Sequence, residues 1–378
     1  MYFSKIGIDG QALVRLGALD ENLGEYQRAR SSIKASGQLL AKLSALIENA
    51  IQVDEHPNRM HTIFLRDLND NLINYNPEDT SVFRDSLLEI NLALQGKFID
   101  IYVTNEEFTN AVRHGDNDLP LIPKVQRKYL RRSFKPNFES GGRISGGWWQ
   151  LVHSEWRRFI TIHNELTIEC DYNCMVAEIL YAKYGGNRPD GDLYSIEGII
   201  SPKARSVIKL AFQILLNTDS RRSAVAAVVG LKDLDEIGVS ASDLVRMMEV
   251  KHESVVQYFY EDIGRSLQKT ESDIAEKVML RAIRDLGTVI LPIHDSFIIA
   301  HRYYEWLQQT MVEVFEEITG SRCGAGFELE APYNPFSIPD TPEERQLRSR
   351  YYDNKYKYEM NTYGELDPLD SSPNNDYS

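Results

Sequence analysis

The sequence predicts an α+β fold, an antiparallel sheet flanked by helices, and three observations carry that expectation. Residues Phe159–Cys170 alternate as a hairpin turning at His163-Asn164. Thr288–Ala300 repeats the plan with two strongly apolar, β-rich runs joined at a polar tip, His294-Asp295. Helical periodicity fills 203–219, 254–286 and 303–319 around these hairpins.

Taken in order, Asn22–Gln52 reads as helix, with Leu39, Leu40, Leu43, Leu46 and Ile47 at helical spacing, and fits a bundle or arm element. His56-Pro57-Asn58 breaks it. Thr62–Leu65 and Phe98–Val103 read as short strands flanking a helix around Ser86–Leu94. Further on, Lys124, Arg127, Lys128, Arg131, Arg132 and Lys135 are interleaved with Tyr129 and Phe134. That composition suits a phosphate backbone with a stacked base, and equally a solvated basic helix face.

A different texture starts at Gly141-Gly142-Arg143-Ile144-Ser145-Gly146-Gly147-Trp148-Trp149-Gln150. Glycines let a backbone approach something large, Arg143 supplies a rigid fork of donors, and the two Trp supply flat apolar surface. A Gly-rich turn leading into a strand with core Trp accounts for it as well. In the second strand of the first hairpin, Thr167, Glu169 and Asp171 share one face, and Asp171 ends the strand before a helix at Cys174–Tyr184. Asp171 is either a helix N-cap or a functional carboxylate.

After the loop Gly185–Gly191 comes the helix Lys203–Asp219, where Arg205, Lys209, Gln213 and Asn217 recur at i, i+4 steps on an otherwise apolar surface. A polar stripe with no acidic partner nearby in sequence suits an anionic ligand such as a triphosphate, or else a solvated face. A helical stretch Ser254–Leu286 ends at Gly287, a good C-cap, and leads to the second hairpin. The Asp295 carboxylate at that tip needs hydrogen bonds or a metal, because an unpaired charge beside a dry core is costly; His-Asp-Ser alone also makes an ordinary turn. The amphipathic helix Tyr303–Thr319 closes at Gly320, and from about Pro339 the chain has little apolar periodicity, which predicts disorder. The resulting expectation is an accessory region over 1–140, a core over 141–338 and a tail over 339–378.

At 378 residues, 42% hydrophobic and 26% charged, the chain can bury a large core. No apolar run reaches membrane-spanning length and the start lacks a secretory signal's layout, so the expected location is the cytoplasm, without membrane partners. Cys170, Cys174 and Cys323 are too few for a disulfide framework. The net charge of −14 argues against a nucleic-acid binder only if charge is read globally.

Two carboxylates, each at a strand end, with an Arg/Lys helix between them in sequence, are the parts of a two-metal phosphoryl-transfer site, where ions about 4 Å apart activate the attacking hydroxyl and stabilise the leaving oxygen. Mg²⁺ fits such oxygen ligands, with Mn²⁺ as a substitute. On these residues the chain resembles the palm and fingers of family A DNA polymerases and the single-subunit phage-type RNA polymerases. Asp171-Tyr172 resembles motif A, with the Tyr172 backbone carbonyl as a further metal ligand. Arg205 and Lys209 resemble the motif B residues that grip the incoming triphosphate, the Lys as proton donor to pyrophosphate. His294-Asp295-Ser296 resembles motif C. Gly142-Arg143-Ile144-Ser145 resembles the element that touches the primer-template minor groove, and Gln268 with Asp273-Ile274 resembles the Gln-containing helix before motif C. The strings around Trp148-Trp149 and Asp171-Tyr172 are also similar to a short polymerase-like family of phages and prophages.

The resemblance implies a right-hand palm with helical fingers, a reduced N-terminal thumb, two Mg²⁺ ions at Asp171 and Asp295, and triphosphate contacts along Arg205, Lys209, Gln213 and Asn217. It implies primer-template DNA as partner, with RNA the other candidate, contacted by Arg143, Gln268, His294 and the basic residues Lys124, Arg127, Lys128, Arg131 and Arg132. The upstream region is too short for a proofreading exonuclease plus a full thumb. Two departures stand out: Val176 occupies the position of a Glu that helps exclude the ribose 2′-hydroxyl, and Asn217-Thr218 replaces the usual Tyr-Gly. Sugar selection therefore does not carry over, and an RNA-synthesising, primase-like enzyme remains open, as do a non-catalytic nucleic-acid-binding module and a metal-dependent phosphohydrolase. Facing carboxylates argue against a dead scaffold, because their repulsion is costly without a cation.

Overall fold

In the computed structural model, described over residues 62–112, 128–323, 325–326 and 341–363, the described residues open with β1 (Ile63–Leu65), α1 (Ser81–Gln95), β2 (Ile99–Ile101) and α2 (Asn105–Ala111). β3 (Arg131–Phe134), β4 (Gly141–Ser145), α3 (Ser154–Arg157), β5 (Ile160–Ile162) and β6 (Glu165–Tyr172) follow. A helical run comprises α4 (Met175–Tyr184), α5 (Ala204–Leu216), α6 (Arg221–Val229), α7 (Ala241–Lys251) and α8 (Gly264–Leu286). Then come β7 (Leu291–Ile293), β8 (Ser296–Ala300), α9 (Tyr304–Thr319), the short β9 (Ala325–Gly326), α10 (Pro342–Leu347) and α11 (Ser349–Tyr363). The fold is α+β, as expected. The helix expected at Asn22–Gln52 lies outside the described residues.

The larger sheet has the order β2-β5-β6-β8-β7, every pairing antiparallel, with β9 also paired to β6. Its two hairpins turn at the expected tips. His163 and Asn164 both have positive φ, 54° and 66°, the conformation that a two-residue turn needs to match strand twist. His294 does the same at 55°. β7 and β8 are buried along their whole length, which explains why they read as continuous apolar runs rather than as alternation. The second sheet, β1-β3-β4, is joined to the rest by α8, which packs on β4, α1, α4 and α9. α8 ends at Gly287 in the left-handed region, φ 62°, as its C-cap position requires.

Several expectations are corrected. Residues 131–134 form a strand, not a basic helix face, and Arg132 is fully buried, donating to Gly142 O (2.8 Å), Glu276 (2.7 Å) and Asp273 (2.9 Å). Such a residue joins the two layers and cannot reach a phosphate. Lys128 is likewise buried, its Nζ donating to the carbonyls of Gln95 (3.2 Å) and Lys97 (2.6 Å), and burial lowers its pKa to about 8. Arg131 stays exposed beside the Phe64 ring, while Lys124 and Arg127 lie outside the described residues.

Trp148 and Trp149 form a 3₁₀ turn, not a strand, and both are buried. Trp149 Nε1 and Gln150 Nε2 both donate to Pro292 O at 3.1 Å, so the Gly-Gly-Trp-Trp-Gln segment braces the β7–β8 hairpin. Gly147 is needed there because a Cβ would stand 2.3 Å from the Trp149 ring.

The segment after Pro339, expected to lack order, carries α10 and α11. α11 docks on β2 through a buried Arg350–Asp100 pair (3.0 Å) and a cluster of Phe98, Tyr102 and Tyr351. β3 and β4 pair across residue 140, where a boundary was expected. Among the described residues no helix is long and apolar enough to cross a membrane.

α6 and α7 were not anticipated from the sequence; with α5 they enclose a core of Phe212, Leu244, Val245, Met248 and His252. His252 has no exposed surface, shares a 2.8 Å hydrogen bond with Tyr181 OH, and burial lowers its pKa to about 4. The folded state holds it neutral while the unfolded chain takes up a proton below the ordinary 6.5. Stability from this group is therefore present above pH 6.5 and falls as pH drops toward 4, by about 3 kcal/mol in all. Denaturant unfolding at pH 7.5 and 5 should show a loss that His252→Gln largely removes; an unchanged pH slope in the variant would contradict it.

Candidate active site

β6 and β8 are held in a register that sets Asp171 opposite Ser296, and Tyr172 N donates to Asp295 O at 3.3 Å. The side chain of Asp171 thus stands at the strand end next to the hairpin tip that carries Asp295. Asp171 is not a helix cap: Cys174, at φ 56°, occupies the N-cap position of α4 without a side-chain cap bond. From the facing helix α5, Lys209 Nζ lies 3.2 Å from Asp295 Oδ2. Two strands and one helix thereby bring the three side chains together.

The electrostatics follow from that placement. Asp171 keeps solvent access but is closely surrounded by protein; desolvation first and the Asp295 charge second raise its pKa to about 7. Lys209 and, less, Arg205 act against the shift. Burial works against the Lys209 ammonium, yet the two carboxylates outweigh it and hold its pKa above the ordinary value. Glu169, two residues before Asp171 on the same strand, adds negative charge; it accepts from Ser296 Oγ and Arg157 Nη1, each at 2.5 Å. Ser296 Oγ also donates to Ile293 O at 3.1 Å, closing the hairpin tip on itself.

Arg143 of β4 and Gln268 of α8 are also brought together. With the Gln268 amide oxygen facing Arg143, the guanidinium Nε and Nη2 donate to it at 3.0 and 2.9 Å. One turn on, Glu271 approaches Arg143 to 3.9 Å; burial raises its pKa to about 7, and the charges of Asp295 and Lys209 act on it. Sequence reading missed Glu271, although its i+3 spacing from Gln268 on one helix face was available as a signal.

The stripe on α5 has acidic partners after all: Asp192 takes Arg205 at 2.7 Å, just as Asp295 takes Lys209. Neither partner is a near neighbour in sequence, so the stripe read as unpartnered until the fold brought them to it. Farther along the stripe, Asn217 turns back on its own helix, donating to Gln213 O at 2.8 Å and packing against Gly264. Val176 is half-buried on α4, and His294 is exposed at the hairpin tip.

Among the described residues no group of three or more His, Cys, Asp or Glu side chains is placed to hold a metal. A metal held by Asp171 and Asp295 would have a sparse carboxylate pair and would leave its other coordination positions to water or phosphate oxygens. That is the manner of Mg²⁺ rather than of a caged Ca²⁺ or a Zn²⁺ with nitrogen and sulfur ligands.

No family model matches the sequence, and no curated protein does. Among solved structures the chain is similar to the POL domain of Pol1 from M. smegmatis in complex with DNA primer-template and dNTP, with a TM-score of 0.37 and 13% identity. That similarity covers 86% of this chain but 61% of the other, so this chain spans less than two thirds of the protein it matches.

If a divalent cation relieves the Asp171–Asp295 repulsion, it stabilises the native protein by mass action. In EDTA at pH 8, Asp171→Asn should raise Tm, and added Mg²⁺ should raise the wild-type Tm more than that of the variant. Equal Mg²⁺ responses in a thermal-shift assay would remove the metal assignment.

Proposed function

We propose that the chain is a Mg²⁺-dependent, template-directed nucleotidyltransferase of the DNA polymerase type, extending a 3′-hydroxyl with nucleoside triphosphates. The observation that carries this reading is the meeting of Asp171 and Asp295 across adjacent antiparallel strands beneath the Lys209 ammonium. Facing carboxylates, with the proton affinity of Asp171 raised by desolvation and by its neighbour's charge, are a liability in a fold that binds nothing, and a fit for polyvalent cations bridging phosphates. The sequence resemblance to family A motifs supports the same reading.

The residue roles follow from charge and reach. Asp171 and Asp295 would hold the metal ions, which when bound neutralise phosphate oxygens and favour the deprotonated 3′-hydroxyl. Lys209 and Arg205 bind the triphosphate, and Lys209, a protonated amine beside the carboxylates, supplies a proton to the departing pyrophosphate. Arg143, held by Gln268 with its guanidinium partly exposed, donates to acceptors on the minor-groove edge of the primer terminus. Arg132 and Lys128 have no part in nucleic-acid contact, since both are consumed inside the fold.

The test is primer extension on a recessed DNA template with Mg²⁺, giving dNTPs and NTPs in separate reactions. Template-matched extension by the wild type should fall at least about 100-fold in Asp295→Asn and Asp171→Asn, since each removes preorganised charge at the reacting phosphate. Activity retained in either variant would refute the assignment. Preference for NTPs over dNTPs would replace the DNA polymerase reading by RNA synthesis, the alternative that Val176 leaves open.

A further inference from the structure

We propose that the turn Asp192–Ser195 is a mount that fixes Arg205 for a triphosphate, with Asp192 as a positioning residue of the nucleotide site. The inference rests on the nucleotide-site reading above and adds to it a residue that no sequence motif marks.

Asp192 divides its two carboxylate oxygens between two tasks. Oδ1 accepts from Tyr194 N at 2.9 Å and from Cys174 Sγ at 3.1 Å, which ties the turn to the residue between β6 and α4. Oδ2 accepts from Arg205 Nε at 2.7 Å. The turn itself is closed by Ser195 N and Oγ on Asp192 O, at 3.2 and 3.0 Å. It is clamped from α7 by Lys251 Nζ, which donates to Asp192 O at 2.7 Å and to Ser195 O. Tyr194, 1% exposed, places its ring under the Arg205 guanidinium, 5.7 Å from centroid to Cζ.

Arg205 is therefore held at its inner edge by Asp192 and along one face by Tyr194. The Nη end is the part left for a ligand: Nη2 makes only a 3.7 Å contact to Cys174 Sγ, and Nη1 makes no hydrogen bond among the described residues. An ordinary exposed ion pair pairs two loose side chains and contributes little. Here the acid's other oxygen is held by Tyr194 N and Cys174 Sγ, and its backbone carbonyl by Lys251; it takes the guanidinium through Nε, which leaves the outer nitrogens as a fork suited to phosphate oxygens. A guanidinium held in advance loses less rotamer freedom on binding, so the mount acts on affinity.

The experiment measures binding of a fluorescent, non-hydrolysable deoxynucleoside triphosphate to the full chain in Mg²⁺, with circular dichroism of each variant. Asp192→Asn should raise Kd about 3- to 10-fold. In the Arg205→Lys background, where no Nε remains to be held, the same substitution should change Kd by less than about 2-fold. Lys251→Met, which frees the turn without touching Arg205, should reproduce part of the loss. The proposal is overturned if Asp192→Asn tightens binding, because Asp192 then competes with phosphate instead of presenting Arg205. It is equally overturned if Asp192→Asn weakens binding by the same factor in both backgrounds. Absence of any triphosphate binding by the unmodified protein removes the nucleotide-site reading itself, and the mount with it.

Discussion

The repulsion between Asp171 and Asp295 is the constraint on which the site depends. Strand register sets it: Asp171 stands opposite Ser296, and Tyr172 N donates to the carbonyl of Asp295 at the adjoining hairpin tip. Close packing of protein around the carboxyl sharpens it, which is why Asp171 gains a proton affinity near neutrality. Lys209 offsets part of the charge from α5, and a bound cation would offset the rest. The fold thus keeps a strained electrostatic arrangement in place by burying β7 and β8 throughout and one face of β6.

That burial explains why segments far from the acids matter. The β7–β8 hairpin is gripped from outside by Trp149 and Gln150 on the Pro292 carbonyl, and at its tip by Ser296 on Ile293 O and Glu169. On the opposite side, Arg132 binds β3 and β4 to two acids of α8, the helix that also carries Gln268 and Glu271. Removing the Arg132 guanidinium would take from Glu276 its ion-pair partner and leave Asp273 with Lys269 alone, so its contribution is to the position of α8 rather than to any ligand.

The legible parts of the sequence were those encoded over short range. Polar tips, apolar strand runs and the cap glycines Gly287 and Gly320 announced the hairpins, α9 and the end of α8, whereas α8 starts at Gly264, ten residues after the expected Ser254, because a separate 3₁₀ turn occupies Glu253–Tyr258. Because Asp171 and Asp295 sit at such strand ends, they could be picked out before their meeting was visible. What composition could not reveal was the partner of each charge. Arg131, Arg132 and Lys128 read alike as basic residues, yet one is exposed and two are consumed inside the core. Asp192 lies in a loop without periodicity, and its service to Arg205 exists only because the turn folds back on α5. The helices after Pro339 were missed because their docking relies on tyrosines and one buried ion pair rather than on an aliphatic stripe.

The most direct test of the central claim is an anomalous diffraction map from crystals of the protein grown with Mn²⁺ and a non-hydrolysable deoxynucleoside triphosphate. The account predicts manganese peaks bonded to the Asp171 and Asp295 carboxylates, with triphosphate oxygens completing the coordination and Lys209 turned from Asp295 toward phosphate. Manganese bound elsewhere, with the Lys209–Asp295 pair intact beside a bound nucleotide, would contradict it.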